Sequence, residues 1–185
     1  MIVVCAASGP SLTKQDLDYC KGKAQVWVVN DGYRLAPWAD LLYAADCDWW
    51  DYHHENMEFN GEKWTVNLQT AKKYGLNHID YKPKEKWSNS PDYIATGGNS
   101  GFQLLNLADI RGAKKIILLG YDMGFTSKKH WFGDHPPKIN RGSNYDEWIK
   151  NFNRAKPFIN AKVINCTPDS NLKCFEMGDL RECLK

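Results

Sequence analysis

An apolar run passes directly into a turn of small residues in the segment IVVCAASGPSL, at positions 2–12. A short apolar run that ends in glycine and proline is typical of a buried strand. Two further runs, at residues 26–29 and 41–45, are followed by Asn or Asp, and stretches with helical spacing lie between the runs. This alternation predicts βαβ units, and therefore a Rossmann-like α/β fold with an open, mainly parallel sheet flanked by helices.

The second half of the chain continues the alternation. Residues 100–111 have helical periodicity, and residues 116–120 form the most apolar strand of the sequence. A long loop, residues 121–144, follows that strand, and loops of this length are usually functional. The other expected elements are strands at residues 64–68, 78–81 and 163–165 and helices at residues 148–159 and 180–184.

The composition is that of a globular protein. Of the 185 residues, 43% are hydrophobic and 25% are charged, so the chain can close a core as one domain, residues 1–185. No apolar run reaches 18 residues, and the opening residues lack a charged and apolar leader. We therefore expect a cytoplasmic protein without membrane contact. The oligomeric state stays open.

Charge is distributed unevenly along the chain. Residues 111–156 contain ten Lys or Arg and four Asp or Glu, whereas the rest of the chain contains fourteen and eighteen. A basic segment on a nearly neutral chain predicts an anionic ligand or a polyanion such as nucleic acid near that segment. A solvated basic face is the alternative interpretation.

Two loops of small residues precede expected helices. Ser8, Gly9, Pro10 and Ser11 lie between the first strand and the first helix, where helix N–H groups and serine hydroxyls can bind phosphate. The second loop, residues 96–101, includes Asn99, Ser100 and Gly101. Two such loops at one sheet edge could hold a nucleotide between them. The alternatives are a tight turn capped by serine and a flexible glycine turn.

Three side chains near the long loop are candidates for proton transfer. His130 and His135 lie within the loop, and an unperturbed histidine titrates near neutral pH. Asp122 follows the strongest strand, where its carboxylate could accept a ribose hydroxyl or act as a base. A carboxylate that only caps a backbone turn, and exposed histidines without a function, are the alternatives.

Metal binding has only weak support in the sequence. Asp46 and Asp48 form a D-x-D pair, which binds Mn²⁺ or Mg²⁺ in some transferases, but so short a motif also arises by chance. The neighbouring His53 and His54 would point about 100° apart on a helix and so form a poor metal pair. None of the six cysteines lies in a C-x-x-C pair, which argues against a thiolate zinc site.

Several short blocks resemble, in order and spacing, those of a group of nucleotide-using enzymes. The group includes bacterial sialyltransferases and archaeal hydroxymethylpterin pyrophosphokinase-like proteins, and small members of phage type. The matching blocks are Ser8 to Leu12, Val29-Asn30, Asn99-Ser100-Gly101, Gly120-Tyr121-Asp122 and the closing block Asn165 to Leu172.

The resemblance implies a nucleotide pocket, a histidine base from the long loop and no metal in sialyltransferase-like chemistry. It also implies a tyrosine pair that holds the leaving phosphate, and Tyr145 is a candidate for one of the two. The residues expected in or around the pocket are Ser8, Gly9, Pro10, Ser11, Asn30, Asn99, Ser100, Gly101, Tyr121, Asp122 and Ser170.

Three functions follow as hypotheses. The first is a glycosyltransferase that uses a nucleotide sugar, with His130, His135 or Asp122 as base and a modified nucleic-acid base or a phage component as acceptor. The second is a pyrophosphokinase or nucleotidyl-transfer enzyme that requires Mg²⁺. The third is a nucleotide-binding protein without turnover. In the second, the phosphate clamp would consist of Lys128, Lys129, Lys138 and Arg141.

Overall fold

The computed structural model describes residues 1–124, 128–139 and 142–185. Arg141, one of the expected phosphate-clamp residues, lies outside them. The strands are β1 (Ile2–Ala6), β2 (Gln25–Val29), β3 (Leu41–Tyr43), β4 (Glu62–Thr65), β5 (Asn77–His78), β6 (Asp80–Lys82), β7 (Tyr93–Ala95), β8 (Lys115–Leu119), β9 (Lys162–Asn165) and β10 (Glu176–Met177). The helices are α1 (Lys14–Cys20), α2 (Cys47–His53), α3 (Leu68–Tyr74), α4 (Ser100–Ile110), α5 (Tyr145–Ala155) and α6 (Leu180–Cys183).

The described strands form one large and one small parallel sheet. The large sheet has the order β10-β9-β8-β1-β2-β3-β4-β5, and β6 pairs with β7 in the small one. From β1 the chain builds the sheet outwards to β5, and then returns to add β8, β9 and β10 on the other side of β1. The strand order therefore reverses between β1 and β8, and ligands of open α/β sheets bind at such a point.

The strands bury both of their faces. In β1, Val3 and Cys5 pack into a core with α4 and α5, whereas Val4 and Ala6 pack into a second core with α1, α2 and α6. The residues of β2 and β8 alternate in the same way. This explains the continuous apolar runs in the sequence, because a parallel strand covered by helices on both sides has no polar face.

The expected fold class is confirmed, and most expected elements lie within a few residues of their predicted bounds. Residues 64–68 were expected as one strand, but α3 begins at Leu68 because Asn67 caps it through a hydrogen bond from the Thr70 N–H. The segment 78–81 is divided between β5 and β6, which belong to different sheets. The short strands β7 and β10 had too few residues to show a periodic pattern.

None of the helices that the structure describes has the length and apolar character needed to cross a bilayer. The basic segment 111–156 is divided by the sheet. Lys114 and Lys115 lie at the amino end of β8, whereas Lys129 lies beyond its carboxyl end. Arg111 is engaged by Glu62 at 2.7 Å. These cations therefore lie at different ends of β8, and an anionic ligand or nucleic acid near the segment stays a prediction.

Candidate functional site

A cleft of about 260 Å³ opens at the carboxyl ends of β1, β2, β3 and β8, where the strand order reverses. Small-molecule sites start at roughly this size, about 300 Å³. Its walls come from the turn after β1, the ends of β2 and β3, the start of α4, the turn after β8, the described part of the long loop, and the start of α5. Among the lining residues are Ser8, Gly9, Pro10, Asn30, Asp46, Trp49, Asn99, Ser100, Gly101, Asp122, Met123, Lys129, His130, His135, Tyr145 and Trp148.

The turn after β1 is fixed to the turn after β8. Gly9 N–H donates to the Gly120 carbonyl at 2.9 Å, and Asp122 accepts hydrogen bonds from the Ser11 N–H at 3.1 Å and the Ser11 hydroxyl at 2.9 Å. A Cβ on Gly9 would overlap both the Asp122 carboxylate and the Gly120 carbonyl. The absence of a side chain at Gly9 therefore allows the backbone of this turn to lie against the Asp122 carboxylate.

Asp122, which the sequence offers as an acceptor for a ribose hydroxyl or as a base, already accepts two hydrogen bonds. Both of its oxygens are occupied by Ser11. Burial raises the pKa of the Asp122 carboxyl, and the two hydrogen bonds from Ser11 lower it in part. Ser11 itself does not line the cleft but a separate groove beside α1 and α6. Together the two residues act as a strut beneath the cleft.

Besides His135 Nδ1, two polar atoms of cleft-lining residues are buried and have no hydrogen-bond partner among the described residues: Ser8 Oγ and Asn99 Nδ2. Ser8 is 9% exposed. Buried polar groups are almost always paired, so two unpaired ones in one cleft indicate places where a polar ligand binds. Both residues were expected at the pocket from the sequence, and both line it.

The N-terminus of α4 faces the cleft. Asn99 caps the helix by accepting the Phe102 N–H at 2.9 Å, while Ser100 and Gly101 line the cleft. A Cβ on Gly101 would meet Asn99 Oδ1 at 3.1 Å and the Tyr121 ring at 3.2 Å, so a small residue lets α4 lie close to the sheet. The first N–H groups of a helix attract anions, and α4 offers them here.

Tyr121 and Ser170, also expected at the pocket, lie outside the cleft and are completely buried. The Tyr121 hydroxyl donates to the Gly101 carbonyl at 2.9 Å, and Ser170 Oγ donates to the Tyr121 carbonyl at 2.5 Å. They therefore support the start of α4 from beneath. The sequence pattern located them correctly along the chain but could not show that their side chains point into the core.

Two non-glycine residues at the cleft have a positive φ, namely Asn30 with 47° and Met123 with 51°. Asn30 ends β2 and begins a short 3-10 helix, and asparagine tolerates this conformation better than most residues. Met123 is the stronger outlier, because an unbranched apolar side chain gains no local hydrogen bond there. Such strain concentrates at functional sites, which supports a ligand-binding role for this cleft.

The two loop histidines come together in the cleft. The ring centroids of His130 and His135 are 4.9 Å apart, and Phe132 stacks on His130 at 4.9 Å. Burial lowers the pKa of both imidazoles below the usual 6.5, and the neighbouring His135 lowers that of His130 further. Both rings are therefore neutral near pH 7 and can accept a proton.

Asp31, which the sequence analysis did not select, is a carboxylate within 4 Å of His135. Its side chain is 4% exposed and accepts the Trp49 indole N–H at 3.1 Å. Its Oδ2 lies 3.7 Å from His135 Nδ1 and 3.8 Å from His53 Nε2. The sequence contains a signal for it, since Asp31 directly follows Asn30, a residue expected at the pocket.

The D-x-D pair does not act as a unit. Asp46 lines the cleft, whereas Asp48 does not. Within residues 1–124, 128–139 and 142–185, no group of three or more His, Cys, Asp or Glu side chains is arranged to hold a metal ion. His53 is the last residue of α2 and stacks on Trp49, whereas His54 follows the helix and stacks on Tyr74.

The cations and aromatic residues of the cleft come from two segments. Of the expected clamp, Lys129 lines the cleft, while Lys128 and Lys138 are exposed outside it. Tyr145 and Trp148 line the wall formed by α5, with ring centroids 5.3 Å apart. Tyr145 was expected near phosphate, and its place at the start of α5 brings it to the same cleft as α4.

No protein-family model and no curated protein matches the sequence. Among solved structures, the chain is similar to a sialyltransferase from Campylobacter jejuni in complex with a substrate analogue, cytidine-5'-monophosphate. The two are 17% identical, with a TM-score of 0.61, and the match covers 95% of this chain and 84% of the sialyltransferase. The chain therefore has a distantly sialyltransferase-like fold.

Proposed function

We propose that this protein binds a nucleotide sugar in the cleft between β1 and β8 and transfers its glycosyl group to a hydroxyl acceptor. One observation carries the proposal: unpaired Ser8 and Asn99, the start of α4 and two neutral histidines meet in one cleft at the reversal of strand order. Polar groups that can bind phosphate thus lie beside groups that can accept a proton.

The phosphate side of the proposal rests on α4 and the turn after β1. The N–H groups at Ser100 and Gly101 attract an anion, and Asn99 Nδ2 and Ser8 Oγ supply donors that no described residue uses. These groups would stabilise the charge that develops on the leaving phosphate. The complex of the structural neighbour with cytidine-5'-monophosphate supports a nucleotide as the ligand.

The base of the proposal is His130 or His135. A glycosyl acceptor must lose a proton as its oxygen attacks the sugar, and a positioned neutral imidazole suits this step. Burial keeps the pKa of both histidines low. Asp122 is a weaker choice, because a base must reach the acceptor proton and both Asp122 oxygens already accept hydrogen bonds from Ser11.

Nucleotide binding is the first test. We expect calorimetry to detect one nucleoside mono- or diphosphate out of a panel of cytidine, uridine, adenosine and guanosine nucleotides. Transfer from the matching nucleotide sugar is then measured with and without a chelator. Turnover that requires Mg²⁺ supports the pyrophosphokinase or nucleotidyl-transfer alternative instead, and binding without turnover supports a nucleotide-binding protein. No binding of any nucleotide refutes the proposal.

A matched pair of variants then locates the phosphate. Asn99→Asp keeps the oxygen that caps α4 but replaces the free amide donor by a negative charge, which repels phosphate. Asn67→Asp is its control, since Asn67 caps α3 with the same 2.9 Å hydrogen bond but does not line the cleft. We expect nucleotide affinity to fall at least ~10-fold in Asn99→Asp alone, the loss of one charge-assisted contact. Equal affinity in both variants would place the phosphate elsewhere.

A further inference from the structure

Asp31 is held rigidly at the end of β2. Its Oδ2 accepts the Trp49 indole N–H at 3.1 Å, and its Oδ1 lies 3.3 Å from the Arg34 guanidinium. Trp49 is buried and belongs to α2, so the carboxylate is fixed by a second element of the fold. A carboxylate that is 4% exposed and fixed by an indole has one orientation, and that orientation is set before any substrate binds.

Two imidazoles approach this carboxylate from opposite elements. His53, on α2, turns Nε2 towards Oδ2 at 3.8 Å, and its Nδ1 lies 3.2 Å from the Tyr33 hydroxyl. His135, from the long loop, turns Nδ1 towards the same oxygen at 3.7 Å. Neither His53 Nε2 nor His135 Nδ1 has a hydrogen-bond partner in the described part of the chain.

We propose that Asp31 is the positioning residue of His135, which makes His135 rather than His130 the general base of the proposed transfer. His135 lines the cleft and has a fixed carboxylate behind its Nδ1, so Nε2 is the nitrogen left to the cleft. The separation of 3.7 Å is longer than a hydrogen bond, and such pairs commonly shorten once the substrate is bound. A base oriented by a third group is the arrangement that activates many nucleophiles.

His130 has a different environment. Among the described residues no His130–carboxylate ion pair is formed, although the charges of Asp31 and Asp134 raise the pKa of His130 in part, and its ring stacks on Phe132. The backbone of Ser8 forms a hydrogen bond with His130 that favours its protonated form. One nitrogen of His130 is therefore directed to the turn after β1, which is a structural contact, and His130 would help to position that turn.

Charged and titratable side chains surround His135 on several elements of the fold. They are Asp31 and Arg34 beyond β2, Asp46 beyond β3, His53 on α2, and His130 and Asp134 in the same loop segment. Burial lowers the pKa of His135, and the carboxylates of Asp31, Asp46 and Asp134 raise it in part. Removing Asp31 should therefore lower this pKa further.

The reaction step balances as follows. The acceptor O–H proton moves to Nε2 of His135 while the acceptor oxygen bonds to the anomeric carbon of the donor sugar. The bond from that carbon to the phosphate oxygen breaks, and its electron pair leaves with the nucleotide. Asp31 accepts the Nδ1–H of the resulting imidazolium and stabilises its charge. The imidazolium then returns its proton to solvent.

This inference rests on the proposed function, but one arm of its test does not. Imidazole nitrogen shifts measured by NMR on the purified protein report the tautomer and pKa of His135 without any substrate. We expect the wild-type protein to carry the neutral proton on Nδ1, and Asp31→Asn to lower the pKa of His135. A proton on Nε2 in the wild type overturns the proposal even if Asp31→Asn fails to fold, and so does an unchanged pKa in the folded variant.

The kinetic arm compares Asp31→Asn with His53→Gln. The control removes the other imidazole that faces the same oxygen, and His53 does not line the cleft. We expect Asp31→Asn to lower kcat on the order of 10²-fold or more with nearly unchanged KM and nucleotide affinity, and to shift the acidic limb of the kcat profile to lower pH. His53→Gln should retain kcat. Unchanged kcat in Asp31→Asn, or an equal loss in both variants, refutes the positioning role.

The two arms separate the two proposals. If no nucleotide binds and no transfer occurs in the wild type, the proposed function fails, and the NMR arm still decides whether Asp31 orients His135. If transfer occurs and both His135→Gln and Asp31→Asn turn over like the wild type, the proposed function stands and this inference fails.

Discussion

Asp31 and Asp122 follow β2 and β8, the two strands that flank β1, yet their surroundings differ. Asp122 gives both oxygens to Ser11 and so joins the turn after β1 to the turn after β8. Asp31 is also fixed, by Trp49 and Arg34, but one of its oxygens additionally faces two histidines beyond hydrogen-bond distance. Each oxygen of both carboxylates already accepts one hydrogen bond, so the number of hydrogen bonds does not separate the two residues. The comparison teaches that a carboxylate at a strand end is structural where it holds only a neighbouring turn, and available for chemistry where titratable side chains also face it.

Gly9 provides the most severe test of the Asp122 strut. A Cβ there overlaps the Asp122 carboxylate and the Gly120 carbonyl, so Gly9→Ala must break the Ser11 hydrogen bonds or displace backbone. We expect the free energy of unfolding to fall by ~3 kcal/mol or more, the combined cost of lost charged hydrogen bonds and overpacking. Urea denaturation measures it.

Gly142→Ala is the control for Gly9→Ala, because a Cβ on Gly142 meets no atom of the described residues within 4 Å. We expect this variant to unfold near the wild-type midpoint. Equal stability of the two variants would show that the turn after β1 moves independently of Asp122. The structural role that distinguishes Asp122 from Asp31 would then be refuted.

Asp122 itself gives the next largest effect. Asp122→Ala removes both acceptors of Ser11 and should destabilise the fold by about 1–3 kcal/mol. Asp122→Asn keeps one acceptor and removes a charge whose burial is unfavourable, so it should cost less than the alanine variant. Turnover per folded molecule should stay near wild type in Asp122→Asn. A kcat loss in this variant at wild-type stability would return Asp122 to the role of base.

The fold was accessible from the sequence because its signals are local. The strands β1, β2, β3 and β8 are continuous apolar runs, and their alternation with helices fixes a parallel sheet. Asp31 was not accessible, because its function depends on where α2 and the long loop bring His53 and His135, which are 22 and 104 positions further along the chain. Likewise, no sequence pattern shows that Tyr121 points away from the cleft that its neighbour Asp122 lines.

The partly buried histidines near Asp31 predict a loss of folding stability in mild acid. Burial lowers the pKa of His53, His130 and His135, so the unfolded chain binds protons that the folded protein does not. Their stabilising contribution is complete above pH ~6.5 and is lost as the pH falls through the lowered values. Melting temperature should therefore decrease from pH 7.5 to 5.5, and less steeply in His53→Gln. Equal slopes in the two proteins would mean that His53 titrates as in the unfolded chain.

The smallest expected effect is the pH dependence of stability that Asp122 contributes. Its sign is opposite to that of the histidines. The pKa of Asp122 is raised above the model-peptide value of 3.8, chiefly by burial, so the folded protein binds a proton at Asp122 more readily than the unfolded chain does. The resulting stabilisation is complete below pH 3.8 and is lost as the pH rises through the raised value. The histidines titrate in the wild type and in Asp122→Asn alike, so their contribution cancels when the two proteins are compared at each pH. We therefore expect the unfolding free energy of the wild type, relative to Asp122→Asn, to increase as the pH is lowered from 7 towards 4. A relative stability that decreases over this range would mean that the Ser11 hydrogen bonds outweigh burial, and Asp122 would then be an ordinary stabilised carboxylate.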